Sequence, residues 1–331
     1  LFTNAKFENQ KIEHIKERDI FFKVSPKRLL LEGLSQNHFK SFLLIATFVY
    51  GLYNEFKDYL EELNLEESVE GFVNLDKDMF LNLIITNLLI ILIVVLISFS
   101  FSVVKTFIIN FNLEVVEYQK AVEINKGLFN KVSLSLTPSR IQNIVIKTNR
   151  VKRYFGLHSL SVKQAMINQK QQKNFNIVAL EKEQVNYLLQ KLLVNYEEEG
   201  KIGKPRPYFV RISALQVLFF CIAVNSLVLF FFGLDMLWIN LVVVPLAVLY
   251  VYVAYKKAYF KISKNVLTIG SGAIETTTNV LEIHKIQAVK MYQTIFQKSS
   301  GIASLKISTA SKSVTIPYIL KSEALSVYNL S

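Results

Sequence analysis

The sequence predicts a membrane protein of the α+β class, in which pairs of transmembrane helices alternate with strand-built modules, each closed by a C-terminal helix. Three observations predict it. Phe80 to Val104 contains no charge, and Ile212 to Tyr255 contains only Asp235. A hydrocarbon core of ~30 Å needs roughly 20 apolar residues in a helix, so these stretches supply three spans. Between and after them apolar residues alternate with period two, as in half-buried antiparallel strands. One pattern also occurs twice: Gln287 and Gly301 stand 145 positions after Gln142 and Gly156, with Arg140-Ile141 and Lys285-Ile286 just before the glutamines. Gly127 and Gly272 keep the same offset, so the repeat unit is one module with its spans.

In chain order, residues 1–38 read as the end of a preceding cytoplasmic domain and its linker. Residues 39–104 read as the first helix pair. Its first member, Phe39 to Lys57, is apolar for only about a dozen residues, with Lys40 placed to snorkel and Tyr50 and Tyr53 suited to a headgroup belt. Residues 105–205 form the first module. There Val132, Leu134 and Leu136 alternate with serines, Ile144 and Ile146 mark another strand, and Leu160 and Val162 a third. Asn125, Lys126 and Gly127 supply a turn. The period then changes to helical at Val185, Leu188, Leu189 and Leu192, after Glu181 and Glu183. Residues 212–255 form a hairpin, Ile212 to Leu234 and Met236 to Tyr255, joined by a tight turn. Residues 256–331 repeat the strand order and end in a helix expected to start at Glu323 behind a Ser322 cap. That helix is short, and the chain opens on Leu1, so the reading is of a C-terminally truncated module in a longer protein.

Charge sets the orientation. Residues 54–78 carry nine acidic and two basic side chains, whereas 1–40 carry eight basic and five acidic, 103–211 eighteen and eight, and 256–331 ten and three. The positive-inside rule puts the three basic regions in the cytoplasm and the acidic loop outside, in a multi-pass protein of a plasma membrane. The net charge of +12 is then a topology signal, and nucleic acid is not an expected partner. The single cysteine, Cys221, and four histidines without ligand spacing give no disulfide, metal or cofactor signal. No nucleophile, P-loop or dinucleotide motif appears, so no catalytic residue is assigned and the protein is read as non-enzymatic.

The basic residue, Ile and Gln, then Gly, Ser, Leu and an alternating strand ending in Ala165 or Ala310 resemble the bacterial pleckstrin-homology (PH-like) family. More narrowly, the chain resembles membrane proteins with tandem PH-like domains on paired transmembrane helices. Thr309-Ala310-Ser311 and Ile316-Pro317-Tyr318 fit the family's closing strands, whereas Lys163-Gln164-Ala165 in the first module departs from them. Ser25-Pro26-Lys27-Arg28 resembles the family's linker into a span pair. The resemblance implies a seven-stranded barrel with a capping helix for each module, and a role in envelope stress or resistance to membrane-active peptides.

The candidate site is a cation cluster, Lys147, Arg150, Lys152 and Arg153, followed by the aromatics Tyr154 and Phe155. It is expected on a loop after the Ile144 strand, where it would meet anionic lipid headgroups. A solvated basic loop required only by topology is the competing reading. Gln142 and Gln287 are read as tying down neighbouring backbone, and Gly156 and Gly301 as positions needing a positive φ or a close strand approach. The leading functional expectation is a protein that binds lipid headgroups or scaffolds a membrane complex with a membrane-protein partner. A transporter or export subunit is the alternative and a membrane-bound enzyme the third. The span polar residues Asn82, Asn87, Gln216, Asn225 and Asn240 read as helix-joining groups.

Overall fold

A computed structural model describes residues 19–38, 41–48, 51, 55, 88–118, 121–165, 175–194 and 196–329. The first module opens with β1 (Asp19–Lys23) and α1 (Pro26–Leu34). Ser25 caps α1 by accepting from the Arg28 N–H, and Pro26 sits in the first turn, where a missing N–H costs nothing. Residues 41–48 are helical. Apart from residues 51 and 55, the rest of the segment expected as the Phe39–Lys57 span, the acidic loop and residues 80–87 lie outside the described residues. The helix α2 (Leu88–Ile109) is the first described span.

After α2 come β2 (Glu114–Glu117), β3 (Val122–Lys126), β4 (Val132–Leu136) and β5 (Ile141–Asn149). The short helix α3 (Arg150–Tyr154), β6 (His158–Gln164), β7 (Asn176–Leu180) and α4 (Lys182–Leu192) complete the module. Strands β1 to β4 form one antiparallel sheet, and β5 to β7 belong to a second. The four apolar residues expected on one face of α4 are all buried, and Gln184 accepts from the Glu181 N–H at the helix start.

The boundary at residue 38 needs correction. Strand β1 pairs with β2 across the expected span pair, and Phe21 stacks on Tyr187 of α4 with ring centroids 4.1 Å apart. Tyr187 donates to Glu117 at 2.5 Å, and Lys191 pairs with the same carboxylate. Those donors hold Glu117 below the usual carboxylate range. Residues 19–23 therefore complete the first module; their partner strand lies on the far side of two expected spans, where local reading does not reach.

The second module repeats the plan. Its first strand, β8 (Lys201–Gly203), precedes the hairpin of α5 (Tyr208–Phe232) and α6 (Asn240–Lys257). Then follow β9 (Tyr259–Ile262), β10 (Val266–Ser271), β11 (Glu275–Glu282), β12 (Ala288–Tyr292), α7 (Ile295–Ser299), β13 (Ile302–Ser308), β14 (Ser313–Leu320) and α8 (Lys321–Tyr328). Helices α3 and α7 fall in the repeat register residue for residue. The last helix starts at Lys321, where Glu323 accepts from the Leu320 N–H at 3.2 Å, so Ser322 is not its cap. Leu281, Leu305, Ile307, Ile316 and Ile319 of the two sheets meet Ala324 and Val327 of α8 in one core. In the second module a pair of apolar helices is thus inserted between the first and second strands, and in the first module α2 lies in the same place between β1 and β2.

The modules share a seven-stranded sheet in the order β7-β6-β5-β11-β10-β9-β8. Strand β11 of the second module lies antiparallel to β5 of the first, with Val280 opposite Ile144 and Thr277 opposite Lys147. The buried Asn143 amide donates to Asn279 Oδ1 at 3.0 Å, Lys285 donates to the Pro138 carbonyl, and Glu282 accepts from the Val194 N–H. Val266 and Val280 belong to the first module's core. Within the hairpin, Gly233 turns the chain at a φ of 69°, and Asn225 and Asn240 exchange hydrogen bonds at 3.0 and 2.7 Å. Two amides that satisfy each other in this way join the two helices.

Candidate functional site

The end of β5 builds the site. Asn149 caps α3 through its side-chain oxygen, which accepts from the Lys152 N–H at 2.7 Å. Its amide nitrogen donates to the Ser35 carbonyl at 2.7 Å, just past α1. One side chain therefore satisfies groups at the start of α3 and the end of α1 and holds the two together.

The same junction takes Lys152 out of the expected surface cluster. Its Nζ lies 2.5 Å from Glu32 Oε1 and donates to Ser159 Oγ at 2.6 Å, and both charged side chains are buried. Gln36 adds a donor to the same carboxylate oxygen at 2.6 Å. A cation so enclosed joins elements and does not face a lipid. Lys147 also departs: it lies within β5 and pairs with Glu275 of the second module at 3.2 Å. Arg150 and Arg153 remain exposed, with no ion-pair partner among the described residues. Tyr154 is 85% exposed and Phe155 37%, their rings edge to face at 5.2 Å. The cluster sits on a capped helix turn and not on a loop, and Gly156 follows it at a φ of 68° with open space around it. Gly301 does the same after α7, at 64°, so the positive φ is what both positions require.

Arg150 borders a cleft of about 820 Å³. Residues 35–38 and 148–152 form its polar side; Leu246, Leu249, Tyr250 and Val253 of the span α6 form an apolar wall. Lys257, at the end of α6, donates to the Ala273 carbonyl at 2.6 Å and ties that wall to the second module. Lys105 and Lys256 lie over Phe101 and Tyr252 of their own helices, at 5.9 and 5.8 Å, so cations mark the module-side ends of both spans. A second cavity of about 270 Å³, beyond Gln36 and Asn37, contains Lys105, Lys126, Asn110 and Asn176. Burial lowers the Lys126 pKa to about 8, and its Nζ donates to the Asn176 carbonyl at 2.7 Å.

The repeat does not carry this chemistry twice. On α7, Ile295 and Phe296 occupy the positions of Arg150 and Val151, and both are exposed. Gln297 is buried where Lys152 is buried. Gln142 is half-buried at the start of β5, and Gln287 is exposed one residue before β12. The residues that sequence reading missed are Glu32, Asn149 and the α6 wall. A Glu in an otherwise apolar helix face was the available signal for the first.

The family model described as Bacterial PH domain matches residues 68–195 and 214–331, the two repeat units. The chain is 24% identical over 207 residues to UPF0699 transmembrane protein YdbT of Bacillus subtilis (strain 168), covering 61% of this chain and 42% of that protein. It thus spans less than half the length of this relative.

Proposed function

The chain belongs to the bacterial PH domain family, and we propose that it is a multi-pass membrane protein whose modules line the cytoplasmic face and whose first module engages anionic lipid headgroups. One observation carries the proposal: Arg150 borders a cleft with a polar side on the module and an apolar wall on a membrane span. A headgroup phosphate beside Arg150 and Arg153 would leave its acyl chains against Leu246 and Leu249. Tyr154 supplies an interfacial ring.

The strand pairings support the topology. Strands β1 and β2 share one sheet, so the chain between them crosses the membrane an even number of times. The same parity holds for β8 and β9 around the α5–α6 hairpin. The role read here is non-enzymatic, because the buried acids Glu32 and Glu282 each join elements. The transporter reading is weakened by Asn225 and Asn240, which satisfy one another. A face that reads headgroups suits a protein acting when membrane-active peptides disturb the envelope, the role the resemblance implies.

The test uses the whole chain, because the strand order leaves no excisable first module. Arg150→Gln/Arg153→Gln protein and wild type are reconstituted in nanodiscs with and without anionic lipid, and bound lipid is quantified after detergent exchange. Each cation near an anionic leaflet is worth ~1 kcal/mol, so the double variant should hold anionic lipid roughly 30-fold more weakly. Equal retention by both proteins would leave the cluster as a topology signal.

A further inference from the structure

The geometry points to head-to-tail association of this chain with a second copy, through the open edge of β12 in one molecule and the open edge of β4 in the next. The pairing that joins the two modules is the template. There β5 of the first module receives β11 of the second. In the repeat register β12 is the counterpart of β5, and β11 the counterpart of β4. The edge that is occupied in the first module is therefore unoccupied in the second: among the described residues β12 has β13 as its sole sheet neighbour. The strand that reaches out from the second module likewise lacks a second strand partner in the first: among the described residues β4 pairs with β3 alone, and the Ser135 carbonyl accepts from the Gln164 side-chain amide at 3.4 Å.

Exposure follows the pairing. Asn143, Ile144 and Val145 are buried under β11, whereas Ala288 and Lys290 of β12 are exposed and Val289 is half-buried. Applying the template register to a second molecule sets Tyr292 opposite Val132 and Val289 opposite Ser135. The buried Asn143–Asn279 amide pair is replaced by Ala288 and Leu134, an apolar pair that needs no hydrogen-bond partner. An exposed edge of this kind is a ready template for another strand, and main-chain ladders of this type join separate chains elsewhere. Because the two edges differ, the contact is heterologous and each addition leaves a fresh edge. The spans keep every copy in one membrane plane, so the product is a row or ring within that plane.

Cysteine pairs in native membranes test this in the full chain, with Cys221→Ser as background. Opposed residues of an antiparallel pair have Cα atoms about 4.5 to 5.5 Å apart, within the span of a disulfide. Two differently tagged chains, one with Val132→Cys and one with Tyr292→Cys, should yield a mixed dimer on mild oxidation. A chain carrying both should give a ladder at multiples of the single-chain mass. Lys147→Cys/Thr277→Cys, opposed within one molecule, reports that the template pairing has formed. The proposal is overturned if that intrachain bond closes while the mixed dimer is absent, or if the intrachain bond itself does not close. It is equally overturned if Tyr292→Cys chains link only to one another, or if Ser313→Cys on β14 replaces Tyr292→Cys without loss of product.

Discussion

At the scale of the residue, Lys152 separates local reading from folded context. Its neighbours Arg150 and Arg153 make it look like one of a set of surface cations, but Glu32 stands 120 positions away in sequence. No pattern in either segment announces their meeting. A buried pair held by Ser159 and Gln36 responds asymmetrically to substitution. Removing one partner strands a desolvated charge and costs about 3–5 kcal/mol, whereas replacing both with apolar residues of similar size is close to neutral. Lys152→Met should therefore sharply lower the melting temperature in detergent, and Glu32→Leu/Lys152→Met should recover most of the loss. A small effect of the single change would mean that the two charges do not depend on each other. The glycines show the opposite case. Their shared offset was legible before any fold was known, and a positive φ at Gly127, Gly156, Gly272 and Gly301 explains it.

At the scale of the element, what was legible was periodic. The α4 face, the alternating strands and the three described spans follow from spacing alone, because burial on one face imposes its period on the sequence. What was not legible was contact between distant elements. Strand β1 has five residues and no long alternation, and its partner follows the expected span pair. The only hint was the order strand, proline, helix at Pro26 and again at Pro207. The weight of this strand in the module is measurable. Phe21→Ala removes the stack on Tyr187 and part of the cover over β2. A loss of about 2 kcal/mol is expected, which should speed amide exchange in the β1–β2 ladder roughly 30-fold. Unchanged exchange would put β1 outside the cooperative unit.

At the scale of the whole molecule, charge asymmetry and strand parity make separate arguments for one topology. An impermeant thiol reagent applied to intact cells, in a Cys221→Ser background, should label Glu66→Cys in the acidic loop and spare Lys298→Cys on α7. Labelling of Lys298→Cys would invert the assignment. On the proposed topology each span pair falls between a module's first two strands, which has a consequence for synthesis. The ribosome releases β1 long before β2, and the strand waits, unpaired, until both intervening segments have entered the bilayer and the chain has come back. A nascent chain that inserts one segment and skips the other strands β1 and β2 on opposite sides, where they never meet. The module then does not close, and its exposed apolar strands would mark the chain for degradation. Folding outside the membrane in this way proofreads threading through it, once for each module.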